Sequence, residues 1–228
     1  MKTCLITGAA RGIGYAIAKI FNEEGYKVFA VDKDPVVSSF PSSIIFEKID
    51  VRDEEAVKAL IEHLPKIDIL INNAAIQYEK PYSQTSAKEF KNVVDTNLVG
   101  TFIVTKIVSS IMKKGLVINV GSVHSTLPRK NKMAYDASKA GLRILTQEFA
   151  LELAIQGIRV NAIEFGAVDT PMNADSLKDN REKIAERVLM GHIFRPKEIA
   201  TAIYRLASDD FQYMNGSIVV YDAGRSLL

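Results

Sequence analysis

Thr7-Gly8-Ala9-Ala10-Arg11-Gly12-Ile13-Gly14 is the stretch on which the reading of this chain turns. The residues before it, Lys2–Thr7, form an apolar run of strand length. After it Ile13, Ala16, Ile17, Ile20 and Phe21 recur at helical spacing, and Gly25 follows as a stop. The octapeptide therefore joins a strand to a helix. Glycines at 8, 12 and 14 permit a tight turn, close approach of the backbone to an anionic group, and close packing of helix on strand. The helix N-terminus adds free N–H groups and a partial positive charge, which suit a pyrophosphate. The spacing departs from G-x-G-x-x-G, since Ile17 stands three past Gly14, and the missing Lys-Ser/Thr excludes a Walker-type loop. Asp32 ends the next strand, eighteen residues beyond Gly14, where a carboxylate can accept both hydroxyls of an adenosine ribose. The plain alternative is a tight turn followed by a surface aspartate.

Outward from this unit the pattern repeats. Strand-like runs are Lys2–Thr7, Lys27–Val31, Ile44–Ile49, Ile67–Ile71, Leu116–Val120, Arg159–Ile163 and Ser217–Tyr221. Their centres are continuously apolar, which suits a parallel sheet covered on both faces. Helical patterns lie between them, including Glu54–Leu64 and Lys197–Ala207 opened by Pro196. Strand then helix, repeated, predicts an α/β, doubly wound, mainly parallel seven-stranded sheet with helices on both faces, as one domain over residues 1–228.

Composition bounds what such a domain does. Among 228 residues 47% are hydrophobic, enough for one sizeable core and too many for a disordered chain. Lys and Arg number 29 against 27 Asp and Glu, a formal charge of +2 that predicts no nucleic-acid partner. The single cysteine, Cys4, cannot close an intrachain disulfide and fits a reducing cytoplasm. No apolar run approaches the ~18 residues that cross a bilayer, and the start resembles a signal peptide only until Gly8. A cytoplasmic protein without membrane or metal partners is expected, since His63, His124 and His192 show no metal-ligand spacing. His63 is read as part of a solvated helix face.

Two long helical segments carry more apolar surface than one sheet face needs. Ala87–Met112 holds Phe102, Ile103, Val104, Ile107, Val108, Ile111 and Met112. Met133–Gln156 has one stripe with Leu142, Leu145 and Phe149 and another with Ile144, Leu151 and Ile155. The second stripes predict a homo-oligomer, dimer or tetramer, the alternative being cover by helices of the same chain.

The chemistry-bearing constellation is Ser122, Tyr135 and Lys139. Tyr135 and Lys139 stand four apart on a helix and share a face, while Ser122 follows the fifth strand, where open α/β sheets bind ligands. A phenol titrates near 10, so acid/base work at neutral pH needs a shift of roughly 2–3 units, about 3–4 kcal/mol, which a nearby ammonium in a dry site can supply. Ser122 would hold and polarise a substrate oxygen.

On these motifs, in order from Lys2 to about Gly224, the chain resembles the single-domain short-chain dehydrogenases/reductases. The resemblance extends to Asp50-Val51, Asn72-Asn73-Ala74-Ala75, Asn97, Tyr135-Asp136-Ala137-Ser138-Lys139 and Gly166-Ala167-Val168-Asp169-Thr170. It implies a Ser122-Tyr135-Lys139-Asn97 tetrad with a proton-relay water. Tyr135 would exchange the hydroxyl proton while hydride passes between substrate carbon and nicotinamide. Lys139 would lower the Tyr135 pKa and bind the nicotinamide ribose. It also implies a cofactor site built from Gly8, Arg11, Gly12, Ile13, Gly14, Asp32, Asp50, Val51, Asn72, Ala74, Tyr135, Lys139, Val168 and Thr170. Asp50 would hold adenine, and Val168 and Thr170 the carboxamide. Ala75 stands for the family's glycine and Phe165 for its proline, and a substrate lid is expected at about 171–195.

Gln77, His124 and Lys132 occupy positions similar to those by which members acting on 3-hydroxybutyrate grip a carboxylate, which suggests a small hydroxy acid. Ordinary loop variation is the plainer reading of all three. The expected function is interconversion of a secondary alcohol and a ketone with NAD(H), on a small-molecule substrate. NADP is disfavoured by Asp32, while Arg11 and Lys33 could partly offset that. The alternatives are an NADPH-dependent reductase of the 3-oxoacyl carrier-protein type, which Arg11 would suit, and a catalytically silent nucleotide-sensing regulator. The intact Ser122, Tyr135 and Lys139 argue against the last, because a sensor needs no general acid.

Overall fold

A computed structural model describes residues 1–36, 39–178 and 180–228. Seven strands are seen: β1 Thr3–Thr7, β2 Lys27–Asp32, β3 Ile44–Lys48, β4 Ile69–Asn72, β5 Gly115–Val120, β6 Ile158–Phe165 and β7 Ile218–Tyr221. All pair in parallel, in the order β3-β2-β1-β4-β5-β6-β7. Cys4 sits in register between Val28 of β2 and Ile69 of β4. Strand order reverses between β1 and β4, and a crevice opens there beyond the carboxyl ends of the strands.

Helices cover both faces, as the unbroken apolar runs require. On one side Ile17 and Phe21 of α1 (Gly12–Glu23) and Ile199 and Ile203 of α8 (Pro196–Leu206) pack on Cys4, Ile6, Ile69 and Ile71. On the other, α2 (Glu54–Glu62) gives Val57 and Leu60, α4 (Gly100–Ser109) gives Val104 and Val108, and α5 (Met133–Leu153) gives Leu153, against Leu5, Leu70 and Val117. Residues of one strand alternate between the two cores, as the strand period of two dictates. Two short helices, α6 (Ala174–Lys178) and α7 (Arg181–Ala185), lie in the expected lid region. Among the described residues no helix is long and apolar enough to cross a membrane.

Boundaries differ where polar side chains decide them. β4 starts at Ile69 rather than Ile67, because the Asp68 carboxylate turns to Thr3 and accepts its amide (2.8 Å). β6 runs two residues past Ile163 to Phe165, whose partner is Tyr221 of β7. The long segment from Ala87 is not one regular helix. It comprises α3 (Ala87–Val94), opened by a Ser86/Glu89 capping box, then a π turn Asp95–Val99, then α4. Thr96 and Thr101 donate their hydroxyls to the carbonyls of Asn92 and Asn97 (2.9 and 3.1 Å), which competes with the regular ladder.

The second apolar stripes have divided fates. On α4, Ile103, Val104, Ile107 and Val108 are covered by the chain itself, while Phe102 is 43% exposed and stacks on Phe149 at 5.9 Å. On the α5 segment Ile144, Leu151 and Ile155 remain exposed, Ile155 by 91%.

Candidate active site

The loop from β1 to α1 is built by its glycines. Gly8 and Gly12 take left-handed φ values of +66° and +59°. A Cβ on Gly14 would lie 2.1 Å from the Gly8 carbonyl oxygen and 2.5 Å from Asn73 Nδ2, so nothing larger than glycine fits between strand and helix. Asn73 stitches the loop to the end of β4, donating to the carbonyls of Thr7 (3.1 Å) and Gly8 (2.8 Å). Thr7 Oγ1 in turn accepts the amides of Asn73 and Ala74, both at 3.1 Å. Arg11, the N-cap, is extended and makes no side-chain cap, which leaves the first-turn N–H groups of α1 without a capping acceptor.

This loop floors a cleft of about 620 Å³. Gly8, Arg11, Gly12 and Ile13 line it together with Asp32–Asp34, Asp50–Val51, Ala74–Gln77 and Thr170–Met172. The Asp32 carboxylate is fixed at both oxygens, accepting the Ala10 amide at Oδ2 (2.9 Å) and the Asp34 amide at Oδ1 (3.0 Å). Each oxygen keeps a lone pair for a ribose hydroxyl. Uncapped helix amides, a glycine cradle and a fixed carboxylate on one cleft fit a dinucleotide. Arg11 is engaged differently from the expectation: its Nη2 pairs with Asp34 Oδ2 at 2.7 Å. A second carboxylate thus stands beside Asp32, and the cation is bound to it.

β5 ends at Val120 and delivers Ser122, while the first turns of α5 carry Tyr135 and Lys139. Lys139 is buried, and its Nζ donates to the Val120 carbonyl at 2.7 Å. Burial draws its pKa down to about 8, with Glu164 opposing. The Tyr135 ring lies between two cations, 5.7 Å from Lys139 Nζ and 5.6 Å from Arg129 Cζ, measured to its centroid. Burial pushes the Tyr135 phenol above its usual value, and Arg129 and the Ser122 hydroxyl oppose that rise. The depressed phenol expected from Lys139 alone is therefore not seen in this state. The ammonium is turned to Val120, and desolvation outweighs the remaining attraction.

Asn97 sits in the π turn and is buried. It clamps Ile76, accepting its amide (2.8 Å) and donating to its carbonyl (3.0 Å), and it also donates to Ser138 Oγ (3.0 Å). The loop after β4 is thereby fixed to the helix that carries Tyr135 and Lys139.

Other expected residues fall in several places. Asn72 needs correction, because the period of β4 turns it to the face of Leu70, away from the cleft. Its Nδ2 donates to Thr105 Oγ1 and Asn119 Oδ1, both at 2.9 Å, in a buried polar ladder that ends at Thr146. Asn73, passed over as a site residue, lines the cleft instead. Asp50 does line the cleft, but Arg52 grips both its oxygens and holds its pKa below the usual range. Val51 and Ala74 are at the wall. Val168 is buried, bridges to Phe194, and its carbonyl accepts Asn173 Nδ2 (2.9 Å). Thr170 reaches the cleft.

The three residues assigned to a carboxylate are all committed elsewhere. Gln77 Nε2 donates to the Met172 carbonyl (2.9 Å) and to Asn173 Oδ1 (3.2 Å). Lys132 Nζ pairs with Glu79 Oε2 at 2.7 Å. His124 Nδ1 lies 2.7 Å from the Leu127 carbonyl, and burial with nearby cations draws its pKa down to about 4. Lys132, the cation assigned to grip the carboxylate, is already neutralised by Glu79.

Sequence reading missed Glu79, Arg129 and the pair of buried Glu164 with partly exposed Arg143 (2.9 Å), in which Glu164 also accepts Ser125 Oγ (2.6 Å). A charged residue inside an otherwise apolar run, as Glu164 is within β6, was the available signal. His63 is exposed at the end of α2, and His192 pairs with Glu198 at 3.1 Å. Among the described residues no three His, Cys, Asp or Glu side chains gather as a metal site.

A family model described as enoyl-(acyl carrier protein) reductase matches residues 8–226. The 3beta-hydroxysteroid dehydrogenase 1 of Eggerthella lenta is 34% identical, over 99% of this chain and 94% of that protein. The 3-oxoacyl-[acyl-carrier-protein] reductase of Thermotoga maritima is 35% identical, over 98% of this chain and 97% of its own length. Among solved structures, the ligand-free aldohexose dehydrogenase of Thermoplasma acidophilum superposes with a TM-score of 0.93 at 28% identity, over 100% of this chain and 94% of that one. Matches of this extent, on a seven-stranded parallel sheet with its cleft at the strand-order reversal, place the chain in the short-chain dehydrogenase/reductase family of oxidoreductases.

Proposed function

We propose that the protein interconverts a secondary alcohol and a ketone with NAD(H), using Ser122, Tyr135, Lys139 and Asn97. The observation that carries this reading is that Asn97 ties Ile76, in the wall of the cleft that holds the glycine loop and Asp32, to Ser138 of the helix bearing Tyr135 and Lys139, with Lys139 bonded to Val120 just before Ser122. A bound nicotinamide supplies the hydride acceptor in oxidation and the donor in reduction. Ser122 holds the substrate oxygen. Tyr135 as the phenolate accepts the hydroxyl proton in oxidation and as the phenol gives it up in reduction, with Lys139 and Arg129 flanking the phenolate. Asn97 holds Ile76, and so the wall facing the substrate, in register with α5.

NAD is the preferred cofactor in this reading. Asp32 and Asp34 both line the cleft and would repel the 2′-phosphate of NADP, and the Arg11 that would welcome it is bound to Asp34. The exposed stripe on α5, with Phe102 beside it, forms the contact of a dimer or tetramer.

The test is a panel of alcohols, polyols and hydroxy acids followed by NADH absorbance, with Tyr135→Phe as control. The variant keeps the ring and should bind cofactor, while turnover falls by roughly 10²–10⁴-fold. Near-normal kcat in the variant would overturn the mechanism.

A further inference from the structure

Around Tyr135 and Arg129 lie charges that proton and hydride transfer do not need. Lys132, 5% exposed, is paired with Glu79 (2.7 Å), and the same carboxylate oxygen accepts the Ser176 hydroxyl of the lid (2.8 Å). Beside them Arg129 is paired with Asp136, through its backbone N–H (2.7 Å) and through Nη2 (3.2 Å). The Arg129 charge is felt at Glu79, His124 and Tyr135 alike, so these groups share one neighbourhood. Lys132 and Arg129 are thus each matched by a carboxylate, Glu79 and Asp136, while the charge of Arg225 also reaches His124.

Hydrogen-bond polarity points the same way. The Leu127 carbonyl can only accept, so His124 Nδ1 carries the proton. With its pKa at about 4 the ring is uncharged near neutrality, and Nε2 is an acceptor. A substrate carboxylate brings two acceptor oxygens and a negative charge. It would meet Lys132 already neutralised, Glu79 repelling it and His124 offering a lone pair. A hydroxyl can donate to Glu79 or to His124, and accept from the Lys132 protons that Glu79 leaves free.

We infer that Glu79 is a specificity-determining residue that fits the site to neutral, polyhydroxylated substrates and turns hydroxy acids away. The inference rests on the proposed alcohol/ketone chemistry and names its substrate class.

Two matched pairs test it: 1,3-butanediol with 3-hydroxybutyrate, and D-glucose with D-glucuronate. In each pair a neutral CH₂OH group replaces a carboxylate. For wild type, kcat/KM should favour the neutral member of a turned-over pair by about tenfold or more, a comparison that needs no variant. In Glu79→Gln the acid should gain about tenfold relative to its neutral partner, because Lys132 is released and the repulsion removed. A wild-type preference for the acid, or an unchanged ratio in a folded Glu79→Gln, overturns the inference and leaves the chemistry standing. Absence of Tyr135-dependent turnover with every alcohol of the wider panel overturns the chemistry itself, and the inference with it.

Discussion

Replacing Asp32 by serine isolates the charge that sets cofactor choice. In the folded protein Asp32 cannot swing aside, because the amides of Ala10 and Asp34 hold its two oxygens at 2.9 and 3.0 Å. A 2′-phosphate carries close to two negative charges near neutrality. At about 4 Å and an effective dielectric near 20, each unit pair costs roughly 4 kcal/mol before screening, and NADP also forfeits the ribose hydroxyl bonds. Solvent at this half-exposed rim and salt remove much of that energy. Lys33 is exposed, and Arg11 is held only by an exposed ion pair worth about 0–1 kcal/mol, so either can return part of the remainder. A net of about 1.4–4 kcal/mol survives, which is a 10- to 1,000-fold preference for NAD in kcat/KM. Asp32→Ser should lower that ratio at least about tenfold. The double variant Asp32→Ser/Asp34→Ser should reverse it, because Arg11 is then free for the phosphate. The assay is kcat/KM for both cofactors with one alcohol. Wild-type preference for NADP, or an unchanged ratio in Asp32→Ser, would refute the reasoning.

Gly14→Ala places a methyl 2.1 Å from a backbone oxygen that cannot step back, so it should lose about 2–3 kcal/mol in urea unfolding and weaken cofactor binding; wild-type values for both would show that the loop yields. His124 titrates at about 4 when folded and near 6.5 when unfolded, so the stability it contributes is complete above pH 6.5 and is lost as pH falls through 6.5 toward 4. Between pH 7 and pH 5, above the carboxylate range, wild type should lose about 2 kcal/mol more than His124→Asn, and parallel pH–stability curves would remove His124 as the cause. If the α5 stripe is an interface, light scattering at micromolar concentration should return a dimer or tetramer and Leu151→Glu should dissociate it; a monomeric wild type ends that reading.

The fold was legible because sheet burial and sequence pattern share one cause. Strands covered on both faces must be apolar throughout, and the seven runs were visible for that reason. The π turn was not visible, since it depends on the Thr96 and Thr101 hydroxyls, residues that read as ordinary helix. In the candidate site, the spacing of Tyr135 and Lys139 puts them on one helix face, a pattern that taken alone mostly marks a solvated face, and the glycine loop stands out by its place between strand and helix. Glu79 with Lys132 and Glu164 with Arg143 are pairings between distant segments, made only when crossovers bring β6 or the loop after β4 against α5. Each partner alone looks like solvated surface. For the same reason Lys132 read as a free cation and Asn72 as a cofactor ligand, when both are bound within the protein.

The strand order also governs the sequence of events as the chain is made. β1 lies inside the sheet; β2 and β3 add to one of its edges, and β4, β5, β6 and β7 add to the other in turn. Each strand leaving the ribosome meets an edge already laid down, and none has to be threaded between finished neighbours. At roughly 5–20 residues per second, growth from the centre outward can keep pace with synthesis. Its cost is exposure. Until the next strand arrives, the newest one presents a row of unpaired amides and carbonyls beside apolar side chains. A nascent chain that has docked β4 but still lacks β5 already holds the glycine loop, Asp32 and Asn73 together, while Ser122, Tyr135 and Lys139 are still to be made. Nucleotide recognition is thus assembled early and chemistry late. A dinucleotide that bound at that stage would steady the half-built sheet when its open edge is most prone to aggregate.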